Sequence, residues 1–154
     1  MMKKIILITV LMIVSLALIA KPSQLKNFDE LMDALKAGRN VRVVAEYGKC
    51  KLISANEEKT APNAIGGMGV DVWEYFAPMS IGNPTAFVVF SQSKLINYGG
   101  YIYNYAKFRV GDDNKVKITA QYADAKDLSI EMDENFFSEI NDGKNQGAVY
   151  FYAQ

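Results

Sequence analysis

Two runs of alternating residues, joined by a turn, constrain this chain more than any other feature. Tyr101 to Val110 alternates apolar and polar, and so does Lys115 to Ala123. Gly111-Asp112-Asp113-Asn114 lies between them and supplies the turn chemistry of a β-hairpin. Only one register makes the faces agree. Val110 then opposes Val116, Phe108 opposes Ile118, and Ala106 opposes Ala120. The other face carries Tyr101, Tyr103, Tyr105, Lys107 and Arg109 against Lys117, Thr119 and Gln121. A slip of one residue would mix the faces, so register is strongly specified.

Other segments read as strands around this hairpin. They are Val41–Tyr47, a start at Cys50–Ile53, Val70–Phe76, Ala86–Phe90 and Asp127–Met132, with Gly147–Tyr152 as the closing strand. Ala86–Phe90 is almost wholly apolar and fits a central strand. Asp133 fits the cap of a short helix that runs through Asn141 and ends at Gly143. Ala148 to Tyr152 has the composition of an edge that can pair with another chain. Residues 54–67 read as one long loop, and long loops in small domains often serve binding.

One helix is well signalled. Asn27 can accept from the first free N–H groups, and Glu30 three places on completes a capping-box-like pattern. Phe28, Leu31, Met32 and Leu35 share one face. Lys36 suits the last turn, and Gly38 the left-handed stop. The expected fold is mainly β (α+β): an antiparallel sheet curling into a small barrel or sandwich, with an N-terminal α-helix.

The chain opens with Met1-Met2-Lys3-Lys4, an apolar run from Ile5 to Ile19 broken only by Thr9 and Ser15, and Ala20. A cationic start, an apolar stretch and a small residue define a secretory signal peptide. A spanning helix needs roughly 20 apolar residues, so this run favours cleavage over anchoring. The expected organisation is a signal peptide at 1–20, a linker at 21–26 and one domain at 27–154. The expected destination is the periplasm or the extracellular space.

Losing Lys3 and Lys4 moves the net charge from zero to about −2. A near-neutral surface gives no electrostatic reason to bind nucleic acid or anionic lipid. Cys50 is the one cysteine, so no internal disulfide is expected. The chain has no histidine. That excludes Ser-His-Asp and Cys-His nucleophile systems and imidazole metal sites. No cofactor is expected.

The Tyr101-Tyr103-Tyr105-Lys107-Arg109 stripe is the first candidate site. Tyr rings offer apolar faces with hydroxyl tips, and the two cations can hold an anionic group. The 54–67 loop is a candidate cover for it. The plainer reading is a solvated sheet face built from good strand formers. Cys50, flanked by Lys49 and Lys51, has cations that would activate a thiol. Strand neighbours point to opposite faces, however, and a buried inert cysteine is the simpler account. Asp71 and Glu74 beside Trp73 suggest a carboxylate pair for glycoside hydrolysis, but three residues apart on a strand puts them on opposite faces. Asp112-Asp113-Asn114 lacks the calcium-loop spacing and is explained by the turn.

The segments Phe28–Gly38, Val41–Val44 with Cys50, Ala61–Gly69, Phe87–Ser91 and Tyr103–Val110, after a signal peptide, together resemble the VirK family of small exported proteins. The resemblance spans nearly all of residues 25–152 and rests on layout. It implies export and a single domain. The family is named for its association with virulence gene clusters and has no established activity, so no catalytic or binding residue carries over. The leading expectation is an exported, non-catalytic binding or interaction module whose partner is a small molecule or an envelope or secreted protein. The alternatives are a metal-independent carboxylate hydrolase and a structural partner of an envelope complex.

Overall fold

The computed structural model describes residues 21–154. The signal-peptide reading falls on residues 1–20, outside the described residues.

Eleven strands and one α-helix follow in chain order among the described residues, with a 3-10 turn at Tyr47–Lys49. They are β1 (Ser23–Leu25), α1 (Phe28–Lys36), β2 (Val41–Glu46), β3 (Lys51–Ser54), β4 (Glu57–Lys59), β5 (Ile65–Gly69) and β6 (Trp73–Phe76). Next come β7 (Phe87–Asn97), β8 (Tyr101–Gly111), β9 (Lys115–Asp124), β10 (Ile130–Glu139) and β11 (Val149–Ala153). The strands form two sheets, ordered β1-β11-β2-β5 and β4-β3-β10-β9-β8-β7-β6. Every pairing between these strands is antiparallel. The larger sheet ends at β4 and β6, so no barrel closes.

The central hairpin adopts the register its faces dictate, with Val110 opposite Val116, Phe108 opposite Ile118 and Ala106 opposite Ala120. Asn114, at φ 64°, closes the three-residue loop, and its N–H reaches the Gly111 carbonyl at 3.0 Å. β8 and β7 pair along their full length, from Phe87–Gly111 to Asn97–Tyr101. The inner rows of these strands meet the smaller sheet and α1 in one core. Phe90 stacks on Phe108 at 5.2 Å, and Phe151 of β11 meets Phe90 edge-on at 6.1 Å. Phe108, Phe151 and Leu31 are the largest fully buried side chains.

α1 begins and ends as its sequence dictates. Asn27 Oδ1 accepts from the Glu30 N–H at 2.9 Å, and Glu30 reaches back to the Lys26 N–H at 2.8 Å. At the other end Gly38 takes φ 69°, and the Arg39 N–H bonds the Ala34 carbonyl at 3.0 Å in a Schellman stop.

Four expectations are corrected. Residues 21–26 contain β1 and not merely a linker: Leu25 is buried and pairs with Phe151. Residues 54–67 are not one loop. Ala55 and Asn56, both at positive φ, turn β3 into β4, and Ile65–Gly69 joins β2. Residues 133–139 are strand and not helix. β10 lies between β9 and β3, which satisfy its backbone from both sides and override the local capping signal. The terminal strand β11 is no free edge, because β1 and β2 flank it.

Candidate functional site

Strands β7 to β10 run ten or eleven residues, whereas those of the smaller sheet run three to six. The far ends of the long strands therefore project past the smaller sheet. The outer face of this overhang is open, and its inner face forms a trough against Ala64–Met68.

The outer face carries the stripe. Tyr101, Tyr103, Tyr105, Lys107 and Arg109 lie on one side of β8, opposite Asn97, Leu95, Ser93, Ser91 and Val89. The five do not share one environment. The Arg109 guanidinium sits over the Phe87 ring at 4.0 Å, and Phe87 stacks on Phe76 at 4.9 Å. Lys107 and Tyr105 border a shallow depression of about 270 Å³ with Glu74. Tyr103 and Tyr105 border a broader one of about 480 Å³ with Ser93, Gln121, Ala123 and Leu128. Residues 54–67 do not cover this face. Ala64–Met68 lies against the opposite, inner face, beside Asn104 and Ala106.

This face gains further apolar groups from outside β8, which alternation along the hairpin does not signal. One row runs Leu95–Tyr103–Ala123–Ile130 across four strands. A register shift between Ile130 and Met132 puts Ile130 opposite Ala123, on the outer side. Leu95, Tyr101, Leu128 and Ile130 are each more than half exposed. Leu128 stands at φ 63°, a conformation a leucine adopts only under constraint. The constraint is visible. The Leu128 N–H bonds the Asp124 carbonyl at 3.0 Å, and the Asp124 N–H bonds the Ser129 carbonyl at 2.9 Å. Asp124 Oδ1 accepts from the Lys126 N–H at 2.7 Å, and Asp127 Oδ1 accepts from the Ser129 N–H at 2.9 Å. The Ser129 bonds hold the Asp127 carboxyl below its ordinary range.

The inner face holds a trough. One row is Gln92–Ala106–Ala120–Glu134 and the next is Lys94–Asn104–Tyr122–Met132. Of these rows Gln92, Lys94, Asn104, Ala106 and Tyr122 bound, with Ala64–Met68, a trough of about 440 Å³. A second hollow of about 210 Å³ shares Tyr47, Ala64, Asn104 and Tyr122 with it. Tyr47 meets Phe136 edge-on at 4.9 Å, and burial pushes its hydroxyl pKa above the ordinary value. Gly66 makes this placement possible, since a Cβ there would stand 2.8 Å from Tyr47 Cε2. The Gly66-Gly67 pair was the available sequence signal for close approach.

The remaining candidates separate. Cys50 is a buried free thiol, 3.6 Å from the Glu46 carbonyl, and burial pushes its pKa up, the opposite of activation. Trp73 pairs with Phe90 on the inner side, and Glu74 pairs with Val89 on the outer side. Asp71 precedes β6, its carboxylate beside Gly69. Asp112 and Asp113 are occupied in the turn: Asp112 accepts from the Ala86 N–H at 3.0 Å, and Asp113 from the Lys115 N–H at 3.1 Å. Among the described residues, no three or more acidic or cysteine side chains gather as a metal site, and no helix is long and apolar enough to cross a membrane.

One capped α-helix and two antiparallel sheets, the larger overhanging the smaller, define a small β-rich domain class. The VirK protein family model matches residues 24–128, and the chain belongs to the VirK family. It is also similar to a VirK family protein from Legionella pneumophila whose crystal structure is known. The match has a TM-score of 0.64 at 14% identity, over 83% of this chain and 97% of that one, and shows a shared fold. None of the curated proteins matches.

Proposed function

We propose that this protein is an exported, non-catalytic interaction module whose working surface is the outer face of the overhang. Tyr101, Tyr103 and Tyr105 form its centre, Leu95, Leu128 and Ile130 its apolar margin, and Lys107 with Arg109 its cationic flank. The partner is an envelope or secreted protein. The signal-like Met1 to Ala20 segment supports delivery outside the cytosol. The two sheets sharing one core support the description of a sandwich left open at one end.

Leu128 carries this reading. A left-handed conformation costs a non-glycine residue about 1–2 kcal/mol. Here that cost comes with an exposed leucine beside Tyr103, where burial gives nothing back in the free protein. Backbone strain of this kind concentrates at working surfaces. A partner that covers the leucine would recover the apolar burial. The hydrolase alternative draws no support from Asp71 and Glu74, which occupy different surroundings.

The test is photo-cross-linking in cells that export the protein. A photoreactive residue replaces Tyr103 in one variant, Leu128 in a second and Glu57, on β4, in a third. The first two should capture the same discrete partner, and the third should not. Equal capture from all three positions, or none from Tyr103 and Leu128, would refute the assignment.

A further inference from the structure

We infer that the inner trough receives an extended peptide that adds to β5 as a fifth strand of the smaller sheet. This site lies on the opposite face of the overhang and does not depend on the outer surface.

The backbone bonds of β5 leave one edge of the strand free. The Tyr47 N–H bonds the Ala64 carbonyl at 2.9 Å, and the Val70 N–H bonds the Val41 carbonyl at 2.9 Å. With the antiparallel register between β2 and β5, these two bonds fix which residues of β5 face β2. They are Gly66 and Met68. The N–H and C=O groups of Ile65, Gly67 and Gly69 point the other way, to the free edge. β5 is the last strand of its sheet, and among the described residues no hydrogen bond occupies these groups.

The four sheet edges are not equivalent. β4 is Glu57-Glu58-Lys59, whose charges discourage pairing. β1 has three residues, and β6 carries Glu74 and bulky aromatic rings. β5 has three glycines in five residues and no charge. Packing demands two of them: a Cβ at Gly67 would stand 2.8 Å from the Val43 carbonyl oxygen, as one at Gly66 would strike Tyr47. The result is a bare backbone edge that another backbone can approach closely.

The surroundings select the occupant. The edge opens onto a trough of about 440 Å³, within the range of roughly 300–1,000 Å³ typical of ligand sites. Asn104 and Tyr122 stand across from it. This suits a single strand and obstructs a whole second domain, so a second copy of the chain fits poorly. A strand laid there would direct alternate side chains to the Tyr47–Tyr122 hollow. Lys94, exposed in the trough, has no acidic partner among the described residues. The peptide therefore has apolar side chains at alternate positions and a carboxylate that reaches Lys94.

The probe is a phage-displayed library of random dodecapeptides, selected on the intact protein, with the recovered peptide remade with blocked ends. Its binding should slow amide exchange at Ile65, Gly67 and Gly69. N-methylation along the peptide should weaken binding about tenfold at every second residue and little between, the period of strand pairing. Ile65→Pro, which removes one outward N–H, should weaken binding about tenfold, whereas Ile65→Ala should bind nearly as wild type. The N-methyl scan stands alone if the proline variant does not fold. Binding that shifts Tyr47 and Tyr122 with no amide protection and no alternation would refute strand addition. So would recovery of no trough-binding peptide, or a solution dimer joined through β5. None of these outcomes touches the cross-linking result at Tyr103 and Leu128, so the two assignments fail separately.

Discussion

Asn114 Oδ1 accepts the backbone N–H of Phe28 at 2.7 Å, so the turn of the central hairpin caps the first turn of the helix 86 residues earlier. The Asn114 carbonyl also accepts the Ile140 N–H at 2.9 Å. One left-handed residue thus ties β8 and β9 to α1 and to the end of β10. Helix N–H groups without partners are costly when partly buried. Replacing Asn114 separates the two jobs. Asn114→Gly keeps the turn and loses the cap, and should cost about 1 kcal/mol. Asn114→Ala loses the cap and strains the turn, and should cost about 2 kcal/mol or more. Urea unfolding at constant m-value measures both, and the order of the two variants is the point at issue.

Much of this frame was legible in the sequence, and the failures have physical causes. The Tyr101–Ala123 hairpin and the helix were readable because face, turn and cap signals are local and agree. The three residues of β1 carry no period, and only the pairing of Leu25 with Phe151 reveals the strand. Asp133–Asn141 reads locally as a capped helix because the partners that make β10 a strand, Leu52 and Ile118 on either side of Phe136, are distant in sequence. Of the site, the shared face of Tyr101, Tyr103 and Tyr105 followed from alternation alone. Ile130 and Leu128 did not, because one depends on a register shift and the other on a left-handed turn.

Tyr47 makes the trough testable by pH. Burial is the main cause of its raised pKa, with the nearby Cys50 and Tyr122 adding when charged. Folding therefore favours the neutral phenol. The associated stability is present below the ordinary value of 10.0 and is lost as pH rises through the higher folded value. Tyr47→Phe should flatten the alkaline loss of stability and remove a late step in the tyrosinate absorbance titration. Loss of an ordinary step near 10.0 in place of a late one would put Tyr47 in water.

Asp142 is one of the carboxylates that act on the acid side. Its Oδ1 accepts the N–H groups of Asn145 at 2.8 Å and Lys144 at 2.7 Å, and these bonds hold its pKa below the ordinary 3.8. The folded state favours the carboxylate. Its contribution is present above pH 3.8 and lost as pH falls through the lower folded value. Asp142→Asn should lower stability at neutral pH and make the profile flatter between pH 4 and the acid limit. Thermal melts across that range measure the difference.

Asn83 plugs the loop between β6 and β7. Its amide donates to the Ala77 and Thr85 carbonyls, each at 2.8 Å, and its Oδ1 accepts from the Ile81 N–H at 3.1 Å. Asn83→Ala removes the partner of the Thr85 carbonyl and of the Ile81 N–H, while the Ala77 carbonyl keeps its bonds from Ser80, and should cost about 1 kcal/mol. Amide exchange should quicken first at Ile81, whose N–H loses its acceptor.

Leu128 joins backbone strain and surface contact in one residue. Leu128→Gly relieves the left-handed conformation and removes the exposed side chain together. The variant should be more stable by about 1 kcal/mol, and its photo-cross-linking from position 103 should fall sharply. A variant that is no more stable, or that cross-links from position 103 as well as the parent, would contradict the assignment of this face.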